Sequence, residues 1–284
     1  MLRSPFVVYP NEYPLDKQEA ALWLAAKGGN LSEVIQLIAC KKDIEERGGY
    51  MHFSPLAIAS RNGHICVIEE LLQHHADLRS IDSYFSETPL HSAVRHYNSR
   101  VKNPSGVHDQ KTCPSNATTL NVAKKCELNV AASMLIDAMA LKGVTLDSTD
   151  ECGRTVLHLA VSDRNEPIVR RLLDNGADIS MKDVSGSTVL KYSIMENDMH
   201  FVSVLIEYGA DINEIYNYGR MPLHLCIERH LNALSDLLLK HGADIEAVDY
   251  GGSNALALAS QYGFGVEMIR ESGRRAGQLK VESK

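Results

Sequence analysis

The chain has 284 residues, 44% of them hydrophobic and 23% charged, enough apolar side chains for an extensive core. Its net charge of −7 and pI near 5.9 argue against a general nucleic-acid or anionic-membrane binder, and no run of about 18 apolar residues is present to span a bilayer. Cysteines at 40, 66, 113, 126, 152 and 226 show no paired spacing, which points to a reducing compartment: the cytoplasm, with the nucleus as alternative.

Taken from the N-terminus, residues 1–15 read as an extension. Arg3 precedes a very short apolar stretch broken by prolines, which is not the pattern of a secretory signal. A helical unit opens at "AALWLAAKGGN", where Leu22, Trp23 and Leu24 are expected to close one end of the core. The same leucine then recurs in "SPLA" (Leu56), "TPLH" (Leu90), "TVLH" (Leu157), "TVLK" (Leu190), "MPLH" (Leu223) and "NALA" (Leu256), at steps of 34, 34, 67, 33, 33 and 33 residues. An apolar pair follows in four units (Leu71-Leu72, Leu172-Leu173, Leu205-Ile206, Leu238-Leu239), and each of these units closes on "HADL" or "GADI".

One unit, "TVLHLAVSDRNEPIVRRLLDNGADI", shows the expected local structure. Thr155 caps a first helix, and His158 is expected to hydrogen-bond a neighbouring loop. Asn165 opens a second helix with Pro167 in its first turn, where a missing N–H costs little. Gly176 ends that helix in a left-handed conformation. Leu157, Ala160, Val161, Ile168, Val169, Leu172 and Leu173 follow helical periodicity. A single unit leaves its apolar face uncovered, so neighbours must stack into an elongated solenoid. Cys40, Cys66 and Cys226 fall at helical positions suited to a small buried thiol.

These motifs resemble the ankyrin-repeat family, whose unit is a β-turn followed by two antiparallel helices. The resemblance covers roughly Leu15 to Arg270. It implies an all-α solenoid of stacked β-turn plus helix-turn-helix units of about 33 residues, with seven repeats, or eight if the 98–127 region is a degenerate unit. The repeat domain is expected over 16–271, its last helix "GVEMIRE" serving as a polar cap, and 272–284 as a flexible polar tail.

The 67-residue step interrupts the pattern. Leu120 mimics an anchor and Leu135-Ile136 a pair, which favours a degenerate unit; Pro104, Gly106 and Pro114, with no apolar periodicity from Ser99 to Asn116, favour an insertion at about 98–117 between the helices of the third repeat. The second reading is preferred. Long loops are cheap to close, about 0.6 kcal/mol per doubling of length, so the insertion alone implies no task. It does hold His96, His108, Cys113 and Cys126, and the alternative function is a metal-dependent or catalytic role carried there. Their spacing lacks the short pairs that pre-organise zinc ligands.

No phosphate loop, H-E-x-x-H or G-x-S-x-G is present, so no enzyme, no cofactor and no metal are expected. His91, His158 and His224 recur at one repeat position, and Asp178, Asp211 and Asp244 at another, as structural residues do. The residues free of repetition lie at the turn tips and five to six places after each anchor, which the resemblance puts on a concave surface. The expected function is a non-enzymatic interaction module, an adaptor, scaffold or inhibitor. Its expected partner-binding residues are Tyr50, Phe53, Tyr84, Phe85, Arg95, Arg154, Met195, Tyr218, Arg220, Arg229, Tyr250 and Tyr262. The expected partner is a protein, with no nucleic acid or membrane, bound by a monomer. Asn213 in "GADIN" resembles asparagines that are β-hydroxylated in some family members, although a turn role suffices for it.

Overall fold

A computed structural model describes residues 20–49, 51–101, 115–263, 265–267 and 269–271, with side chains outside 96–125. The N-terminal extension, Tyr50, the segment 102–114 and the tail after 271 lie outside the described residues.

Helices come in consecutive pairs: α1 (Ala21–Gly28) with α2 (Leu31–Ala39), α3 (Pro55–Asn62) with α4 (Ile65–Gln73), and α5 (Pro89–Val101) with α6 (Ser115–Leu141). The series continues with α7 (Val156–Ser162) and α8 (Glu166–Asp174), α9 (Val189–Met195) and α10 (Met199–Glu207), and α11 (Pro222–Glu228) and α12 (Asn232–Lys240), followed by α13 (Ala255–Tyr262). First helices α1, α3, α5, α7, α9, α11 and α13 stack in one layer. Second helices form the other, with α2 on α4, α4 on α6, α6 on α8, and α10 on α12. Between α8 and α10 the join includes polar contacts: His200 Nε2 lies 2.8 Å from Glu166 Oε2, and the Tyr208 hydroxyl donates to Asp174 Oδ1 at 2.7 Å. Among the described residues there is no strand; the turns contribute isolated bridges, Gly48 to Phe53 and Thr149 to Thr155.

Local chemistry sets the ends of these short helices. Pro55, Pro89 and Pro222 occupy the first helical position, where no N–H is needed. Ser54 Oγ accepts from the Ala57 N–H at 3.2 Å, and Asn254 Oδ1 from the Ala257 N–H at 2.9 Å. The second helices stop at Gly176, Gly209 and Gly242, with φ of +82°, +85° and +90°; His75 adopts +65° at the equivalent place, which costs a side-chain residue more.

Burial follows the repeat. The first member of each apolar pair, at Leu71, Leu172, Leu205 and Leu238, is fully enclosed, whereas the second is half-covered. Leu22 and Trp23 close the first unit as expected. Leu24 does not: the buried stripe of α1 is Leu22, Trp23, Ala25 and Ala26, which turns Leu24 outward at 43% exposure. Of the three cysteines expected inside, only Cys226 is buried, and burial pushes its thiol up to about 12. Cys40 caps the end of α2 and Cys66 sits in the first turn of α4, and both are exposed.

The third pair departs from the others. α5 has 13 residues and α6 has 27, against seven to nine in the remaining helices. The second half of α6 buries Leu128, Ala131, Ala132, Leu135, Ile136 and Met139, alternating three and one along the chain as a single helical face requires. That face packs on α5 and lies between α4 and α8, the place of a second helix.

Candidate functional site

The turns between units are built on a recurring aspartate. Asp82 Oδ1 accepts from the N–H groups of Tyr84 and Phe85 at 2.8 and 2.6 Å, and Asp150 Oδ1 from those of Cys152 and Arg154 at 2.9 and 2.8 Å. Asp183 does the same for Ser185 and Ser187, and Asp249 for Gly251 and Ser253. Neighbouring hairpins are then bonded through Ser83 N to Met51 O, Glu151 N to Phe85 O, Val184 N to Cys152 O and Tyr250 N to Tyr218 O, at 2.9 to 3.2 Å, and between the Val184 and Tyr218 tips by the Asn217 side-chain amide, which donates to Ser185 O at 3.3 Å. The tips therefore form a connected row beside the first helices.

The repeated histidines hold that row to the helices. Nε2 of His91, His158 and His224 lies 3.2, 3.1 and 3.1 Å from the carbonyl oxygens of Arg154, Ser187 and Ala247 in the next turn. A carbonyl only accepts, so Nε2 carries the proton and Nδ1 accepts from the Thr88 and Thr155 hydroxyls at 2.7 and 2.9 Å and from the Met221 N–H at 3.1 Å. Burial favours the neutral ring: it lowers His91 to about 4 and shifts His158 and His224 the same way. Where Lys191 replaces the histidine, the Thr188 hydroxyl donates instead to Glu214 of the next turn, at 2.8 Å. Asn213 is likewise structural, its Oδ1 accepting from the Asp244 N–H at 2.8 Å.

The expected partner-binding residues differ widely in exposure. Tyr218 and Tyr250 stand out from adjacent tips at 79% and 81% exposure, with Val184 at 78% on the preceding tip; Met195 and Arg229 are exposed on α9 and at the end of α11. Tyr84 is moderately exposed and meets Phe85 edge-on, with ring centroids 4.6 Å apart; Tyr262 is half-buried with His230 against its ring. Phe53 corrects the expectation: at 5% exposure it is part of the core, because its turn folds it under the Arg61 guanidinium, 5.1 Å from the ring. Tyr50 lies outside the described residues.

Arg95, Arg154 and Arg220 are engaged in ion pairs. Arg95 Nε lies 2.6 Å from Glu87 Oε1 and its Nη2 is 2.5 Å from Asp150 Oδ2, which Arg154 Nη2 also approaches at 2.9 Å. Both carboxylates are enclosed, while the Arg95 and Arg154 side chains keep a quarter or more of their surface in solvent. Burial pushes the Glu87 carboxyl up to about 7 against the pull of Arg95. Burial also opposes the Asp150 charge, but the Arg154 backbone N–H and guanidinium, with Arg95, hold its pKa below the usual range. Arg220 pairs with Glu228, and its Nε lies 3.4 Å from Asp249 Oδ2. Composition offered no sign of this cluster, since Glu87 precedes its anchor by three residues and Asp150 serves a different turn; the recurrence of Asp82, Asp150, Asp183 and Asp249 before four of the tips was the available signal.

An open groove of about 660 Å³ runs between α9, α11 and the turn at Tyr216–Arg220, lined by Lys191, Met195, Tyr218, Leu225, Glu228 and Arg229 among others. Among the described residues, no group of three or more His, Cys, Asp or Glu side chains is placed to hold a metal ion. Of the four candidate ligands in the insertion, the side chains of His96, His108 and Cys113 lie outside the described residues, and Cys126 is exposed. No helix among the described residues is long and apolar enough to cross a membrane.

Comparison with known proteins agrees with this architecture. The family model for ankyrin repeats, written for three copies, matches residues 22–103, 99–183, 120–216 and 179–249. Many solved structures share the fold, among them the ankyrin repeat domain of Bcl-3, described as a unique member of the IkappaB protein family, with a TM-score of 0.71 and 21% identity over 90% of this chain and all of that one. No curated protein sequence matches significantly. With stacked helix pairs, hairpin turns and a family match from residue 22 to residue 249, the chain belongs to the ankyrin-repeat family.

Proposed function

We propose that the protein is a non-enzymatic interaction module, an adaptor, scaffold or inhibitor, which holds a protein partner on the face made by the turn tips and first helices. The observation that carries this reading is the run of Val184, Tyr218 and Tyr250, each more than three-quarters exposed on successive tips, beside the groove containing Met195 and Arg229. Large apolar side chains held out by a rigid hairpin row cost little entropy to bury, and Tyr and Arg are the types that dominate binding hot spots. The segment 98–117 serves in this reading as a spacer between the helices of one repeat, the module acts as a monomer, and its compartment is the cytoplasm or nucleus.

Affinity capture from lysate of the source cells, read by mass spectrometry, tests the reading with the intact chain, a Tyr218→Ala/Tyr250→Ala variant and a chain lacking residues 102–114. The expected result is one specific protein retained by the intact and shortened chains and weakened about tenfold or more by the tip variant. Retention by the tip variant together with loss from the shortened chain moves the site to the insertion and rejects the proposal.

A further inference from the structure

The first-helix face changes character along the solenoid. Five residues after the anchor, the first three units carry Lys27, Arg61 and Arg95, and each cation lies over an aromatic ring of its own unit or turn: Trp23 at 4.7 Å, Phe53 at 5.1 Å and Phe85 at 5.6 Å from the ring centroid. The equivalent places further along are Ser162, Met195, Glu228 and Gln261. Trp23 and Phe53 are buried, so the cationic groups themselves cover the outer side of the core at these rings.

Carboxylates offset the charge of this stretch in part, at Arg95 and Arg154. Glu87 and Asp150 are enclosed beneath Arg95 and Arg154, whose outer edges remain accessible. Lys27 and Arg61 make no ion pair among the described residues. A partner approaching α1 to α7 thus meets Lys27 and Arg61 without an ion pair, and Arg95 and Arg154 over enclosed counter-charges, in a chain whose net charge is −7. Toward α9 and α11 it meets exposed Glu196 and Glu228 beside Arg229.

We propose that the row Lys27, Arg61 and Arg95 is the docking track for an acidic, extended segment of the protein partner. The proposal rests on the interaction-module reading and adds the partner's chemistry and its position on the solenoid. Ring contacts hold the cationic groups in place before binding, which lowers the ordering cost of meeting a carboxylate. Packed helices lie about 8–10 Å apart, and an extended left-handed polyproline-type chain advances about 3.1 Å per residue. Carboxylates at every third residue therefore match successive rungs. A nucleic-acid strand offers more phosphate charge than three rungs answer, and the acidic remainder of the chain repels it.

The test is fluorescence anisotropy with a short labelled peptide carrying glutamate at every third residue, its glutamine counterpart, and an oligothymidylate. The intact chain is expected to bind the glutamate peptide, to ignore the glutamine one, and to lose affinity as salt rises from about 0.1 M to about 1 M, where the screening length drops from about 10 Å to about 3 Å. Lys27→Glu and Arg61→Glu are each expected to weaken binding roughly tenfold or more, Arg229→Glu to leave it unchanged, and Lys27→Arg to retain it. Circular dichroism melts establish that each variant is folded. Absence of glutamate-peptide binding, equal binding of the glutamine peptide, or insensitivity to Lys27→Glu and Arg61→Glu overturns the proposal, and tighter binding of oligothymidylate overturns it in favour of a nucleic-acid ligand. A partner captured through Tyr218 and Tyr250 but indifferent to Lys27→Glu and Arg61→Glu removes the acidic track while leaving the interaction module intact.

Discussion

His91 and Glu87, four residues apart in the chain, oppose each other in pH dependence. His91 is neutral in the fold, its pKa lowered by burial from 6.5 to about 4. The unfolded chain takes up that proton first as pH falls, so the stability His91 supports is complete above about pH 6.5 and is lost toward pH 4. At about 1.4 kcal/mol per pKa unit this amounts to roughly 3 kcal/mol. Glu87 is raised by burial from 4.5 to about 7, so its contribution is complete below about pH 4.5 and disappears as pH rises through 7. Thermal melts should therefore show His91→Gln flattening the fall in Tm between pH 6.5 and 4, and Glu87→Gln steepening it. A pH profile unchanged by His91→Gln would mean that the ring titrates alike in the folded and unfolded chain, contrary to its burial and to the bond its Nδ1 accepts from the Thr88 N–H.

The turns and helix ends depend on backbone geometry that side chains resist, and two glycines separate the causes. Gly176 has φ of +82° with nothing within 4 Å of a Cβ built on it, so Gly176→Ala carries only the left-handed penalty of about 1–2 kcal/mol. Gly153 has φ of +71°, and a Cβ there would lie 2.9 Å from the Val184 amide nitrogen. That amide bonds the Cys152 carbonyl at 3.0 Å and joins two neighbouring tips. Gly153→Ala should accordingly cost more than Gly176→Ala in urea denaturation, and it should also weaken partner capture by displacing Val184. Equal costs would show that the tips shift freely against each other. Helix pairs, stops and caps were readable because each depends on residues within one unit: Thr155, Pro55 and Gly176 act on neighbours a few positions away. α6 was readable only in part, since Leu135-Ile136 announces a second helix but nothing local marks a start at Ser115.

Across the solenoid each unit is stabilised by the units beside it, so a defect in the middle removes support on two sides. Leu135 is fully buried on α6 between α4 and α8, and Leu135→Ala is expected to cost about 2–5 kcal/mol, whereas Val130→Ala, at a half-exposed position of the same helix, should be near neutral. Urea midpoints measure the difference; a small effect at Leu135 would mean that α6 is not part of the continuous core. The repeat period and its anchors determined the all-α solenoid, because periodic burial requires identical neighbours and leaves no other way to cover each unit. Which tip residues face a partner depended on contacts across units. Phe53 and Tyr218 are both aromatic turn residues, yet one is folded under Arg61 and the other stands in solvent at φ of +64°. The Arg95, Glu87, Asp150 and Arg154 cluster joins residues up to 67 positions apart in the chain, and only stacking brings such charges together and orients them, carboxylates inward and cations outward.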